Sequence, residues 1–276
     1  MEQQTQTQPS NGHFTFDTIL ETSKRMGKEL PIHLKYDPKI FWDSMGERYY
    51  LSFQKREQFI EGVPWLIDRM KVLNCETLLE VGCGFGRLLP FMLEAGVVKS
   101  AKGIDISTPI VKCSEDYLKP MDQVWCKCVK FQDGKWFDVQ DNIPIADSWI
   151  ACPKCGIQKP KKLDKPAPDF RDKIEVLEGD VRKLAFDSNS FDCVMSYQVL
   201  QHINTDDVES AVREMVRVSR KAILCVERFA FPGERFEPHV FSHNLSQIFR
   251  SMGVDVAQVS PLQGGLQGVV ILKKHI

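Results

Sequence analysis

No stretch of this 276-residue chain carries eighteen consecutive apolar residues, so no helix read from it is expected to cross a membrane. Charge of one sign is also missing. The 36 basic residues meet 37 acidic ones and leave a net charge of −1, so no global field draws the chain to nucleic acid or an anionic surface. The first twelve residues are rich in Gln and Thr and lack the apolar core of a secretory signal. Nine cysteines without such a signal imply a reducing, cytoplasmic setting, where thiols stay free or bind metal.

What is present is concentrated in one run. Leu78-Leu79-Glu80-Val81 is a short apolar strand with an acid near its end, and it opens into Gly82-Cys83-Gly84-Phe85-Gly86. Leu88 to Gly96 then follows a helical pattern. Glycines at alternate positions let a backbone turn with positive φ and approach a ligand closely. The helix that follows offers free N–H groups. Strand, glycine turn and helix make the first half of a nucleotide-binding α/β unit. The NAD pattern would need a third glycine at position 87 or 89, and those positions hold Arg87 and Leu89.

An acid followed by Gly-x-Gly-x-Gly resembles the first motif of the class I S-adenosylmethionine-dependent methyltransferases. Further motifs follow in the same order. Ala101 to Ile106 reads as a second strand with Asp105 at its carboxyl end, where a carboxylate can accept both hydroxyls of a ribose. Lys173 to Asp180 reads as a third strand ending in Gly179-Asp180, and the resemblance sets Asp180 beside the adenine. Phe191 to Tyr197 is a fourth strand, and in the family its end faces the methionine moiety and the reacting methyl. The resemblance therefore assigns Glu80, Gly82, Cys83, Gly84, Gly86, Asp105, Ile106, Asp180, Val181 and Gln198 to S-adenosylmethionine.

The same resemblance implies an α/β fold with a seven-stranded, mostly parallel sheet and helices on both faces. Lys221 to Glu227 reads as its fifth strand, rich in Ile, Leu and Val. Val254 to Val259 and Gln267 to Lys274 read as a closing pair, and their short connection permits only antiparallel pairing. Amphipathic helices are expected over Arg56 to Leu73, Asp206 to Ser219 and His243 to Met252, the last capped by Gly253.

Four segments organise the chain: a disordered tail over 1–12, a helical cap over 13–58, the cofactor domain over 59–118 and 173–276, and an insert over 119–172. In the cap, Phe41 to Tyr50 is an aromatic segment that either folds over the cofactor or packs against the core. The insert contains Cys126-Lys127-Cys128 and Cys152-Pro153-Lys154-Cys155-Gly156. The second pair resembles a zinc-ribbon knuckle, while the first departs from it by having one intervening residue. Four thiols would fill a tetrahedral site and make the zinc structural. Between them, Asp133-Gly134 reads as a two-residue hairpin turn. Cys75, Cys83, Cys113, Cys193 and Cys225 read as small buried hydrophobes.

Methyl transfer from a sulfonium is an in-line displacement that rests on positioning, and a protic acceptor gains from a nearby base. Candidates beyond the ends of the fourth and fifth strands are Tyr197, Gln198, His202, Glu227, Arg228, His239 and His243. The Asn/Asp-Pro-Pro-Tyr signature of amino-group methylation is lacking. A small-molecule acceptor is the first expectation. The alternatives are an RNA or protein methyltransferase that recognises its target through the insert, and an inactive cofactor-binding partner subunit. A basic stretch from Lys159 to Lys165 near three tryptophans suits RNA, or is a solvated linker.

Overall fold

Seven strands form one sheet, and the strand that leads into the glycine turn lies in its interior. The computed structural model describes residues 36–53, 60, 62–119, 129–132, 135–138, 144–145, 169–228, 235–237 and 239–273, with 129–145 and 235–237 given by backbone alone. The first strand, β1 (Thr77–Val81), pairs in parallel with β2 (Ser100–Asp105) and with β7 (Phe191–Tyr197). On one side β2 pairs in parallel with β6 (Ile174–Glu178), and on the other β7 pairs in parallel with β8 (Ser219–Arg228). The closing strands are antiparallel, as their short connection requires. Strand β12 (Leu266–Leu272) inserts between β8 and β11 (Asp255–Pro261).

Central strands of such a sheet are buried on both faces, which explains why Leu78, Leu79 and Val81 are all apolar. Leu78 points into one core cluster with Leu66, Met70, Phe85 and Met92. Leu79 and Val81 point into the other with Val194, Val212, Met215 and Phe249. Each fully buried side chain of this kind contributes about 1.5–3 kcal/mol. The five cysteines read as small hydrophobes are all buried and free.

Helices α1 (Pro38–Phe53), α2 (Val63–Leu73), α3 (Leu89–Glu94), α4 (Thr108–Lys112), α5 (Ser114–Tyr117), α6 (Val208–Val218) and α7 (Leu245–Ser251) flank the sheet. The helix expected from Arg56 begins at Val63, where Gly62 at φ 82 turns the chain and a proline fits the first turn. Helix α1 is interrupted at Gly46, whose φ of 44 and ψ of −135 break it into two parts. The inner face expected for α6 is present, with Val208, Ala211, Val212 and Met215 buried; Val216 is half-buried and Val218 completes the face.

In the insert, β3 (Val129–Gln132) and β4 (Lys135–Asp138) pair antiparallel with Gln132 opposite Lys135, and the turn expected at Asp133-Gly134 lies outside the described residues. A third strand, β5 (Pro144–Ile145), pairs with β4. Short β9 (Arg235–Glu237) and β10 (Val240–Phe241) form a separate pair. The expected tail over 1–12, residues 13–35 of the expected cap and the four insert cysteines lie outside the described residues. Among the described residues no helix is long and apolar enough to cross a membrane.

Candidate functional site

The carboxyl ends of β1, β2, β6 and β7 meet around a cavity of about 310 Å³, the place where open α/β sheets bind ligands. The turn after β1 shapes its floor. Gly82 sits at φ 64, and a Cβ there would lie 2.4 Å from a methyl of Val199. Gly84 sits at φ 59 facing Tyr49. Only glycine satisfies both the backbone conformation and the close approach.

Asp105 closes the end of β2. Its carboxylate accepts the Gly84 N–H at 2.8 Å and the Ser107 N–H at 2.9 Å, so its oxygens are fixed beside the glycine turn. Burial pushes its pKa up, and the two amides work against that rise. Asp180, after β6, accepts the Arg182 N–H at 2.9 Å and both ends of the same guanidinium fork, with Nη2 at 2.7 Å. Arg182 also reaches Asp207 at 3.0 Å. Burial alone would raise the Asp180 pKa, but the fork outweighs it and holds the carboxyl below its ordinary value.

Glu80 differs from both. It is 2% exposed, and its Oε2 has no hydrogen-bond partner. Burial pushes its pKa well up, Asp105 adds to the rise, and Arg87 opposes it. Arg87 borders the same cavity and lies over the Phe53 ring with its guanidinium carbon 4.9 Å from the centroid.

Helix α1 covers the cavity with Pro38, Trp42, Tyr49 and Phe53. Its first turn is tied down by Lys39, which meets Glu178 at 3.1 Å and donates to Thr108 at 2.9 Å. Ser107 donates to the Trp42 carbonyl at 3.1 Å. Of the two placements open for the aromatic segment, Trp42 and Tyr49 line the cavity, whereas Tyr50 is buried in the core.

The far wall is the turn after β7. Gln198 holds φ 54 without being a glycine, secured by its N–H donating to the Val226 carbonyl at 2.7 Å. Such a conformation costs about 1–2 kcal/mol and presents the residue at the cavity wall. His202 lines the same wall. Its Nδ1 lies 2.9 Å from the His239 carbonyl and its Nε2 3.2 Å from the Gln201 side-chain nitrogen. A carbonyl only accepts, so Nδ1 carries the proton and Nε2 accepts from Gln201. Burial pushes the His202 pKa down to about 4, so this imidazole is neutral with both nitrogens engaged.

The cavity thus brings together Glu80, Gly82, Cys83, Gly84, Asp105, Ile106, Asp180, Val181, Tyr197, Gln198 and His202. Other candidates stand elsewhere. Gly86 is not among the lining residues and packs against Val176. Glu227 lies behind the β7 turn, where its Oε1 accepts from the Ser196 hydroxyl at 2.8 Å and the Val199 N–H at 3.2 Å. Burial raises its pKa to about 7 against those donors. His239 stacks between Phe41 and His202, with ring centroids 4.4 and 5.3 Å away. His243 places Nε2 2.9 Å from the Ile203 carbonyl, and burial lowers its pKa. The Arg228 N–H donates to the Gln201 side chain at 3.3 Å. Sequence reasoning passed over Arg87 and Arg182. Each had a readable signal: one directly follows the glycine turn, the other comes two residues after the third-strand acid.

No cluster of three or more His, Cys, Asp or Glu side chains suited to a metal occurs among the described residues. Cys126, Cys128, Cys152 and Cys155 lie outside them.

Comparison with known proteins agrees with this geometry. Residues 157–225 match the family model of a methyltransferase domain. Solved structures share the fold of the chain. A S-adenosylmethionine-dependent methyltransferase from Aquifex aeolicus is 14% identical, with a TM-score of 0.50 over 86% of this chain and 99% of that one. Magnesium protoporphyrin IX methyltransferase from Synechocystis, with its bound cofactor, is 12% identical with a TM-score of 0.53 over 87% and 98%. A chain from the Haloferax volcanii complex containing the Trm112 methyltransferase activator is 15% identical with a TM-score of 0.53 over 87% and 99%. At these identities the likeness is one of fold. No curated protein sequence matches the chain.

Proposed function

We propose that this methyltransferase domain binds S-adenosylmethionine in the cavity described and transfers its methyl group to a small-molecule acceptor. The observation that carries the reading is the Glu80 carboxylate, buried and unpartnered at Oε2, on one wall with Asp105, Asp180 and the glycine turn. A buried acceptor left without a donor is costly, and the ammonium of an amino acid would satisfy it. Asp105 would take the ribose hydroxyls, and Asp180 with Val181 would border the adenine. The cofactor supplies an electrophilic methyl group.

Tyr197, Gln198 and His202 line the wall reserved for the acceptor. With both nitrogens engaged and its pKa pushed down to about 4, His202 acts in this reading as an orienting wall. Glu227, His239 and His243 support that wall from behind. Trp42, Tyr49 and Phe53 roof the cavity, which favours an acceptor with apolar surface over a polymer strand. A protein partner is the second reading, because a chain of the same fold occurs in a complex with a methyltransferase activator.

The test is to incubate the protein with methyl-labelled cofactor and fractionated cell extract, followed by mass spectrometry. Label in the small-molecule pool supports the proposal. Label in RNA or protein replaces it with the other acceptor class, and tight cofactor binding without any transfer identifies an inactive partner subunit.

For the insert we propose a structural zinc held by Cys126, Cys128, Cys152 and Cys155. The cysteine spacing supports it, as does the three-stranded antiparallel sheet whose residues fall between the two pairs. Elemental analysis should give about one zinc per chain. Cys152→Ser should lose the metal and leave cofactor binding intact. Zinc-free protein with no affinity for the metal would overturn the assignment.

A further inference from the structure

His202 lines the cavity, and both hydrogen bonds of its ring are made to residues behind that wall, Gln201 and His239. Gln201 is 7% exposed and belongs to the same short turn, Leu200–His202. Its side chain bridges the end of β8 and the imidazole. The Arg228 N–H lies 3.3 Å from Oε1, and the amide nitrogen lies 3.2 Å from His202 Nε2. A backbone N–H only donates, so the amide oxygen must face Arg228 and the amide NH2 must face the ring. His202 Nε2 is left to accept. On the other side, the His239 carbonyl at 2.9 Å demands a donor at Nδ1. Two backbone groups, reached from opposite sides of the ring, therefore call for the same tautomer.

The imidazolium is excluded on the same ground. A proton on Nε2 would point at the amide hydrogens, and opposed buried donors leave both groups unsatisfied. The ring is held in this orientation: His239 stacks on it at 5.3 Å and Trp42 meets it edge-on at 5.1 Å. The Tyr36 hydroxyl donates to the His202 carbonyl at 3.0 Å. Burial acts first against a positive charge on the ring. The His239 carbonyl favours one, while the His239 ring and the Arg228 side chain oppose it.

We infer that Gln201 is a positioning residue: from behind the wall it fixes the His202 imidazole as the neutral Nδ1–H tautomer, so that this wall takes no proton from an acceptor seated against it. The clause about the acceptor rests on the cofactor reading of the cavity, whereas the tautomer stands on the hydrogen bonds alone.

Long-range proton–nitrogen NMR spectra of the histidine rings test the inference on the full chain without cofactor. Wild type, Gln201→Glu and Gln201→Leu are compared, and His202→Asn identifies the His202 signals by their loss. Wild type should show Nδ1 protonated and Nε2 unprotonated between about pH 5 and pH 8. Gln201→Glu puts a carboxylate where the donor stood. Both nitrogens should then carry protons near neutrality, with the midpoint rising from about 4 to above the ordinary value of about 6.5. Gln201→Leu should leave Nδ1 protonated and move the Nε2 signal towards that of a nitrogen without a hydrogen bond, and it serves where the Glu variant fails to fold. A proton on Nε2 in wild type would overturn the inference. So would wild-type ring signals in either folded variant. Calorimetry of S-adenosylhomocysteine with wild type is the separate check: absence of binding would sink the cofactor reading and the acceptor clause, while the tautomer is decided by the spectra.

Discussion

Replacing Glu227 by Gln should make the protein more stable above neutrality. The side chain is 2% exposed, and burial raises its pKa from an ordinary 4.5 to about 7. The sign follows from proton counting. Between those values the folded protein holds a proton that the unfolded chain has released, so stability is full below about 4.5 and falls as pH rises through about 7. The difference of 2.5 units, at about 1.36 kcal/mol per unit, sets a plateau loss of about 3 kcal/mol. About 2 kcal/mol of it is lost between pH 5 and pH 7. Gln keeps the acceptor for the Ser196 hydroxyl and the Val199 amide but never carries the charge. Urea denaturation of both proteins from pH 5 to pH 8 reads the effect. The variant should match wild type near pH 5 and exceed it by about 2–3 kcal/mol near pH 8. A stability difference that does not change with pH would refute this assignment. So would a loss of cofactor affinity as large as that of a cavity residue, since Glu227 is placed behind the wall.

Two further perturbations bear on the cavity. Gly82→Ala sets a Cβ 2.4 Å from Val199 at φ 64, and strain plus overpacking should cost about 2–5 kcal/mol by urea denaturation; unchanged stability would contradict the described turn. Cofactor binding should release a proton, because burial keeps Glu80 protonated above the ordinary carboxyl range and an incoming ammonium favours its ionised form. Affinity should therefore rise with pH above about 4.5, calorimetric enthalpies should differ between buffers of different ionisation enthalpy, and Glu80→Gln should abolish that difference.

The sequence was most legible where local pattern decides the outcome. The apolar Leu78, Leu79 and Val81 point to both faces of the strand, which suits an interior strand of the sheet. The short turn before Leu266 left β11 and β12 only the antiparallel choice, and Gly253 caps α7 at φ 75 as its position suggested. What could not be read depends on partners distant in the chain. The protonation of His202 is set by a carbonyl 37 residues away, and nothing in Gln198-Val199-Leu200-Gln201-His202 reveals it. Glu227 looked like a base at a strand end. The donors that hold it behind the wall come from Ser196 and Val199, about thirty residues earlier. The break in α1 at Gly46, with φ 44 and ψ −135, is a backbone conformation that helical periodicity does not encode.

Titration calorimetry of S-adenosylhomocysteine into wild type and Asp105→Ala tests the central claim most directly. Wild type should bind in the micromolar range, about −8 kcal/mol, and the variant should lose about 1.5–3 kcal/mol, the worth of hydrogen bonds to a charged acceptor. NAD should not bind. Selective binding of NAD, or an affinity indifferent to the loss of Asp105, would contradict the account.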